Sequence, residues 1–186
     1  TSVKDMQPYF GRNLGSLDVY ESMDQRGELT VRIFAAPDLL GDLGQALQWR
    51  QRFSGGRVRV NHLKQFMDGV STTHTALMLE AYSDGSPGDK GKPLVDLAAL
   101  KKAIIEAHRH GFGLCLHSCG DRSARLALDY IEEAVRIHGR QSMPHCIEHN
   151  ELVDPADMPR YKALSVIPSV MPEHLAMTRR FDETPF

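Results

Sequence analysis

Apolar positions along this chain switch repeatedly between a two-residue and a 3.6-residue period, and that alternation limits the possible folds more than any other feature. A helix is expected over residues 17–25, ending at Gly27, and an apolar strand, LTVRIFAA, over 29–36. Asp38 is placed to cap a helix running to about residue 53, broken by Gly55 and Gly56, before a strand over 58–67. The stretch 68–93 holds Gly69, Gly85, Pro87, Gly88, Gly91 and Pro93 and keeps neither period, so it reads as a long loop, more often functional than idle. Asp96 then caps a helix striped by Leu97, Leu100, Ile104 and Ile105, which Gly111 ends. The buried strand GLCLHSCG follows, with Asp121 as the expected cap of the next helix, striped by Leu126, Tyr130, Ile131, Ala134 and Val135. The strand HCIEH spans 145–149, Asp154 and Pro155 are placed to start another helix, and SVIPSV at 165–170 reads as the last strand. About five strands alternating with about five helices, one unit every ~30 residues, is the rhythm of a parallel α/β fold, either a wound sheet or a (β/α)8 barrel. A complete barrel typically needs about 250 residues, more than the 186 present.

Composition narrows the function classes. The chain is 41% hydrophobic and 25% charged with a net charge of -2, so nothing in it suggests a nucleic-acid surface. No apolar run approaches the ~20 residues of a membrane span, and the expectation is a soluble protein without membrane or nucleic-acid partners. Three cysteines, an odd number, exclude a fully paired disulfide framework within one chain and suit a reducing cytoplasm.

Chemistry gathers at strand ends. Lys64, His117 and His149 fall at or near the C-terminal ends of successive strands, the edge on which parallel α/β proteins build their sites. A histidine ending an apolar strand is an economical metal ligand, and two on adjacent strands can converge on one ion. Asp121, Glu148 and His145 lie close in sequence and are candidates to orient a ligand ring. Taken alone, a histidine among nine is more often a hydrogen-bonded core residue, and a protonated lysine cannot ligate a metal at all. A competing reading groups Cys115, His117 and Cys119, which share one face of a strand, into a zinc cluster. Small buried cysteines packing in the core are the default against it.

Taken in order, the segments KQFMDGVSTTHTALMLEAYSD, LCLHSCGDRSARLALD, HCIEHNELVDPADMPRYKAL and SVIPSVMPEH resemble the YtcJ-like branch of the metal-dependent amidohydrolases, the branch of the N-substituted formamide deformylases. The family pattern of Lys-x-x-x-Asp-Gly is met by Lys64, Asp68 and Gly69, and that of His-x-x-Gly-Asp-Arg by His117, Gly120, Asp121 and Arg122. Ile147, Glu148 and His149 supply the Ile-Glu-His strand end, and Pro172 and His174 the Pro-x-His. The resemblance implies a partial (β/α)8 barrel with these as its fourth to seventh strand ends. It implies one or two divalent ions, usually zinc, held by His117, His149 and a Lys64 carboxylated by carbon dioxide. The metal would polarise the scissile carbonyl and bring the pKa of bound water toward ~7, so that hydroxide attacks an amide-like carbon of a small molecule. His74 and His174, in loops over the mouth, become candidates for substrate contact.

The family's first-strand His-x-His has no counterpart before Lys64, and no counterpart of its eighth-strand aspartate, the general base, follows His174. The expectation is therefore an internal segment of an amidohydrolase barrel over residues 1–186, with the first-strand and eighth-strand regions not present. Alone, such an open sheet would aggregate or dimerise through its raw edges. The alternative is a non-catalytic regulatory or binding protein of the same fold.

Overall fold

In the computed structural model, which describes residues 1–7 and 16–174, all pairings between neighbouring strands are parallel. The strands are β1 (Ser2–Gln7), β2 (Arg32–Pro37), β3 (Val58–Arg59), β4 (His62–Phe66), β5 (Gly113–Ser118), β6 (His145–His149) and β7 (Val166–Val170). The helices are α1 (Ser16–Gln25), α2 (Leu43–Arg52), α3 (Leu97–Arg109), α4 (Asp121–His138) and α5 (Met158–Leu164).

Two ladders result, β1-β2-β3 and β4-β5-β6-β7, and a backbone bridge joins them. Asp38, just past β2, bridges in parallel to Lys64, and the Leu39 N–H donates to the Lys64 carbonyl at 2.9 Å. Since β3 and β4 are two halves of one extended run, the described strands form a single arc. Its curvature is strong enough for the Lys4 ammonium on β1 to reach Glu148 on β6 at 3.1 Å. A flat sheet with this strand order would hold those residues several strand spacings of ~4.8 Å apart. The arc is thus part of a barrel wall with a lined interior.

The apolar stripes face outward onto the helices. Leu63, Leu114, Leu116 and Ile147 on β4–β6 pack with Leu100, Ile104, Leu128 and Ile131 from α3 and α4. A second cluster, Ile33, Ala35, Val58 and Val60 with Leu17 and Phe53, seats α1 and α2 on the other ladder. Fully burying each large aliphatic side chain contributes roughly 1.5–3 kcal/mol, so these two layers carry most of the arc's stability.

The local structure departs from the sequence reading at three starts and one strand. β1, whose SVKDMQ is too polar to announce itself, is an unexpected strand. Asp38 caps no helix; its carboxylate accepts from Leu40 N–H and Gln65 Nε2, and Asp42 is the true N-cap of α2. Asp154 and Pro155 form a turn, and α5 begins later, after Asp157. At α4 the N-cap is Gly120, and Asp121 is the first helical residue. Asp96 caps α3 as expected, accepting from Ala99 N–H at 2.7 Å.

Candidate metal centre

The mouth of the arc is organised by Asp68, a fully buried residue two positions beyond β4. Its carboxylate accepts backbone N–H groups from Leu77 at 2.9 Å, Gly120 at 2.9 Å and Cys119 at 3.1 Å. One side chain thereby ties the end of β4 to the end of β5 and to the loop that covers them. Burial raises its carboxyl above the usual range, while those three amides pull the other way.

His117 sits at the penultimate position of β5, only 6% exposed. Its Nε2 lies 3.0 Å from the Gly69 carbonyl. A carbonyl only accepts, so Nε2 carries the proton and Nδ1 the lone pair. That Nδ1 is buried and has no hydrogen-bond partner. Orphaned buried acceptors are rare, because each forfeits its hydration without replacement, and one at a site calls for an explanation. Burial also lowers the imidazole's pKa, which keeps the ring neutral.

His149 reaches the same place by a different route. On β6, Cys146 and Glu148 face the interior and Ile147 faces the helices, so strand alternation would turn His149 outward. Its φ of 70°, followed by 49° at Asn150, breaks the alternation. The ring then stands edge-on to His117 with centroids 4.4 Å apart. Such left-handed backbone costs a non-glycine residue about 1–3 kcal/mol and clusters at functional sites. The His149 Nδ1 lies 3.0 Å from the Met171 sulfur, an acceptor, which leaves Nε2 to offer the lone pair. Burial, then the neighbouring His117 and Lys64, brings its pKa down to about 4.

Lys64 completes the group, 3% exposed, with its ammonium over the Phe66 ring at 4.9 Å, the same ring that packs against His117 at 4.8 Å. Burial lowers its pKa to about 8, against the opposing pull of Glu148. A share of free amine is therefore present near neutral pH.

The other expected residues divide. His174 joins the centre: its ring stacks on His149 with centroids 5.2 Å apart, and Glu151 holds its Nδ1. His74 is taken up within the covering loop, stacked on Tyr82 at 4.3 Å and paired with Asp84 at 3.1 Å. Asp121 holds that loop by accepting from Leu79 N–H at 2.8 Å. Glu148 turns into the interior toward Lys4; burial opposes its ionisation, but Ser169 and Lys4 hold its pKa below the usual range. His145 stands at the opposite end of β6, on the helix side, its Nε2 2.9 Å from His108 Nδ1 on α3. It is thus remote from the ring of His149 that it was expected to orient. The cluster Cys115–His117–Cys119 is divided too: Cys119 Sγ lies 3.5 Å from His117 Nε2, the proton-bearing nitrogen, while Cys115 turns to Cys146. The sequence pattern assigns no role to Glu151 and none to Asp68 beyond its place in the Lys-x-x-x-Asp-Gly motif.

Two neutral imidazoles with defined lone pairs and a partly deprotonated lysine fit a divalent cation. The amidohydrolase family model matches residues 1–185. Metal-dependent hydrolases of known structure from Pyrococcus furiosus and Pyrococcus horikoshii OT3 are similar, each 26% identical, with TM-scores of 0.69 and 0.73. The matches cover 88% and 91% of this chain but 32% and 33% of those proteins. Among curated relatives, the YtcJ amidohydrolase of Bacillus subtilis is 31% identical over 59% of this chain and 21% of its own length. Protein LONG AFTER FAR-RED 3 of Arabidopsis thaliana is 29% identical over 61% and 19%. The exoenzymes regulatory protein AepA of Pectobacterium carotovorum is 23% identical over 62% and 24%. The chain thus spans about a fifth to a third of the proteins it matches. It belongs to the amidohydrolase family, on the YtcJ-like branch.

Proposed function

We propose that the protein to which this chain belongs is a metal-dependent hydrolase of amide or related C–N bonds in small molecules. The observation that carries this reading is the buried, unpartnered Nδ1 of His117, with its tautomer set by Gly69 and the His149 ring beside it. His117 through Nδ1 and His149 through Nε2 would hold the divalent metal, and Lys64, once carboxylated by carbon dioxide, would add an oxygen ligand. When bound, the cation, zinc in most such barrels, supplies Lewis acidity toward a carbonyl oxygen and toward water. Lys64's lowered pKa favours the free amine that carbon dioxide requires. His174, held by Glu151, faces the mouth and contacts substrate, while Asp68 and Asp121 hold the covering loop that keeps bulk water out. On this reading residues 1–186 form an internal segment of the barrel domain, and the general base lies on a strand outside it.

The test is metal content and turnover of the full-length protein against a panel of formamides and N-acyl amines. His117→Ala and His149→Ala should each weaken metal affinity at least ~100-fold and abolish turnover. Lys64→Ala should lose metal that bicarbonate cannot restore, whereas the wild type depleted of carbon dioxide regains it with bicarbonate. Unchanged metal stoichiometry in both histidine variants would overturn the assignment. The likeness to AepA, a protein described as regulatory, favours one second reading, a non-catalytic member of the fold. Metal binding without turnover of any panel member would select it.

A further inference from the structure

Below the candidate metal centre, the interior holds a second donor group that the hydrolase reading does not use. Cys115 on β5 and Cys146 on β6 are direct register partners, and both are buried and reduced. Their sulfurs and a Glu148 carboxylate oxygen all lie within 4.8 Å of one another. The Lys4 ammonium stands beside them, 3.6 Å from Cys146 Sγ and 3.1 Å from Glu148 Oε1.

We propose that Cys115, Cys146 and Glu148 form a thiophilic cation site, distinct from the His117–His149 centre, that takes zinc or a softer divalent ion. Tetrahedral zinc with bonds of about 2.0–2.3 Å needs donors about 3.3–3.8 Å apart, so the three atoms, all within 4.8 Å of one another, are at most about 1–1.5 Å beyond ligating separation. The backbone already supplies the rigidity, because the two thiols project from adjacent positions of a parallel ladder. Charge also balances: two thiolates and a carboxylate offset a divalent ion together with the Lys4 ammonium, leaving the buried group neutral, as a low-dielectric interior demands. Binding releases the two thiol protons to solvent, and no electron is transferred. The thiols stand two and three residues before the two histidines, about 7–10 Å from them along the strands and level with Lys64, while Glu148 is the register partner of His117. The site is therefore structural, locking β5 to β6 beneath the mouth.

The test is a cadmium titration of the chelator-stripped full-length protein, read by the ultraviolet thiolate-to-cadmium absorption band. The band should saturate at one equivalent, fall by about half in Cys115→Ser and in Cys146→Ser, and persist in Cys119→Ser. Glu148→Gln should keep the band with affinity lowered about tenfold. Cadmium-113 NMR of the wild type needs no variant and should give one resonance in the sulfur-ligated range, apart from any in the nitrogen–oxygen range. No absorption band, loss of the band in Cys119→Ser alone, or a spectrum holding only the nitrogen–oxygen resonance would overturn the proposal.

Discussion

At the scale of single residues, the mouth depends on groups that bond backbone rather than ligand. Asp68→Asn keeps the size of the side chain but turns an amide toward three N–H donors that a carboxylate alone can satisfy together. Leaving such donors unpaired in a fully buried position should cost about 3 kcal/mol, measurable by urea denaturation. A loss under about 0.5 kcal/mol would mean that Asp68 does not clamp the strand ends. His145 makes a second prediction. His108 donates through Nε2 to the Gly139 carbonyl, so its Nδ1 accepts from His145 Nε2–H, and His145 Nδ1 is left as a buried lone pair. Burial first, then the facing His108 and His62, depress its pKa to about 3. The folded state thus prefers neutral His145, and its contribution to stability is complete above pH ~6.5, the unfolded value, and shrinks by about 1.4 kcal/mol per unit as pH falls toward 3. Denaturation midpoints at pH 7 and pH 4.5 should diverge more in the wild type than in His145→Gln. Parallel shifts in the two proteins would rule this out.

At the scale of elements, α4 and the covering loop stabilise each other. Gly120, the N-cap of α4, offers no side chain, and the loop supplies what is lacking: the Leu77 carbonyl accepts from Arg122 N–H and Ser123 N–H at 3.1 and 3.2 Å. Asp121 returns the bond through Leu79 N–H. This exchange requires close approach, since a Cβ on Gly120 would stand 2.2 Å from the Leu77 oxygen. Gly120→Ala should therefore push the loop from the helix and destabilise the fold by about 1–3 kcal/mol. Hydrogen exchange should show faster exchange at residues 76–79 and in the first turn of α4, with α3 unchanged. Protection equal to wild type at those positions would contradict the coupling. The capping also explains a misplaced expectation: Asp121 has the sequence signature of a cap, but its partner is a loop amide 42 residues away.

For the whole molecule, the arc sets the limits. Within the described residues, β1 and β7 each have one neighbouring strand, and Ile167, Val170 and Val3 are 44%, 60% and 44% exposed. Parallel barrels leave such edges covered. Residues 1–186 produced alone should self-associate, with sedimentation showing dimers or larger species. A monomer stable at high concentration would show that the edges are protected by other means. Membrane insertion offers no alternative for the helices, as none among the described residues is long and apolar enough to cross a bilayer.

What the sequence determined by itself was whatever depends on local period and strand-end position. The alternation of stripes pointed to a parallel α/β fold, with wound sheet and barrel both open, and Lys64 and His117 could be placed at or near adjacent strand ends because strands of fixed rise deliver their last residues to one edge. β1 escaped because polar SVKDMQ carries no apolar alternation, and it is held by pairing with β2 rather than by its own pattern. Sequence proximity misled at His145, since four residues along a strand span about 13 Å, and at Glu148, whose carboxylate is taken up by Lys4. Only the tertiary structure decided that His149 faces His117, through a positive φ that no residue type at that position announces. It alone also brought Lys4 to Glu148 and Cys115 to Cys146, because curvature and register are properties of the assembled wall, set by packing between residues far apart in the chain.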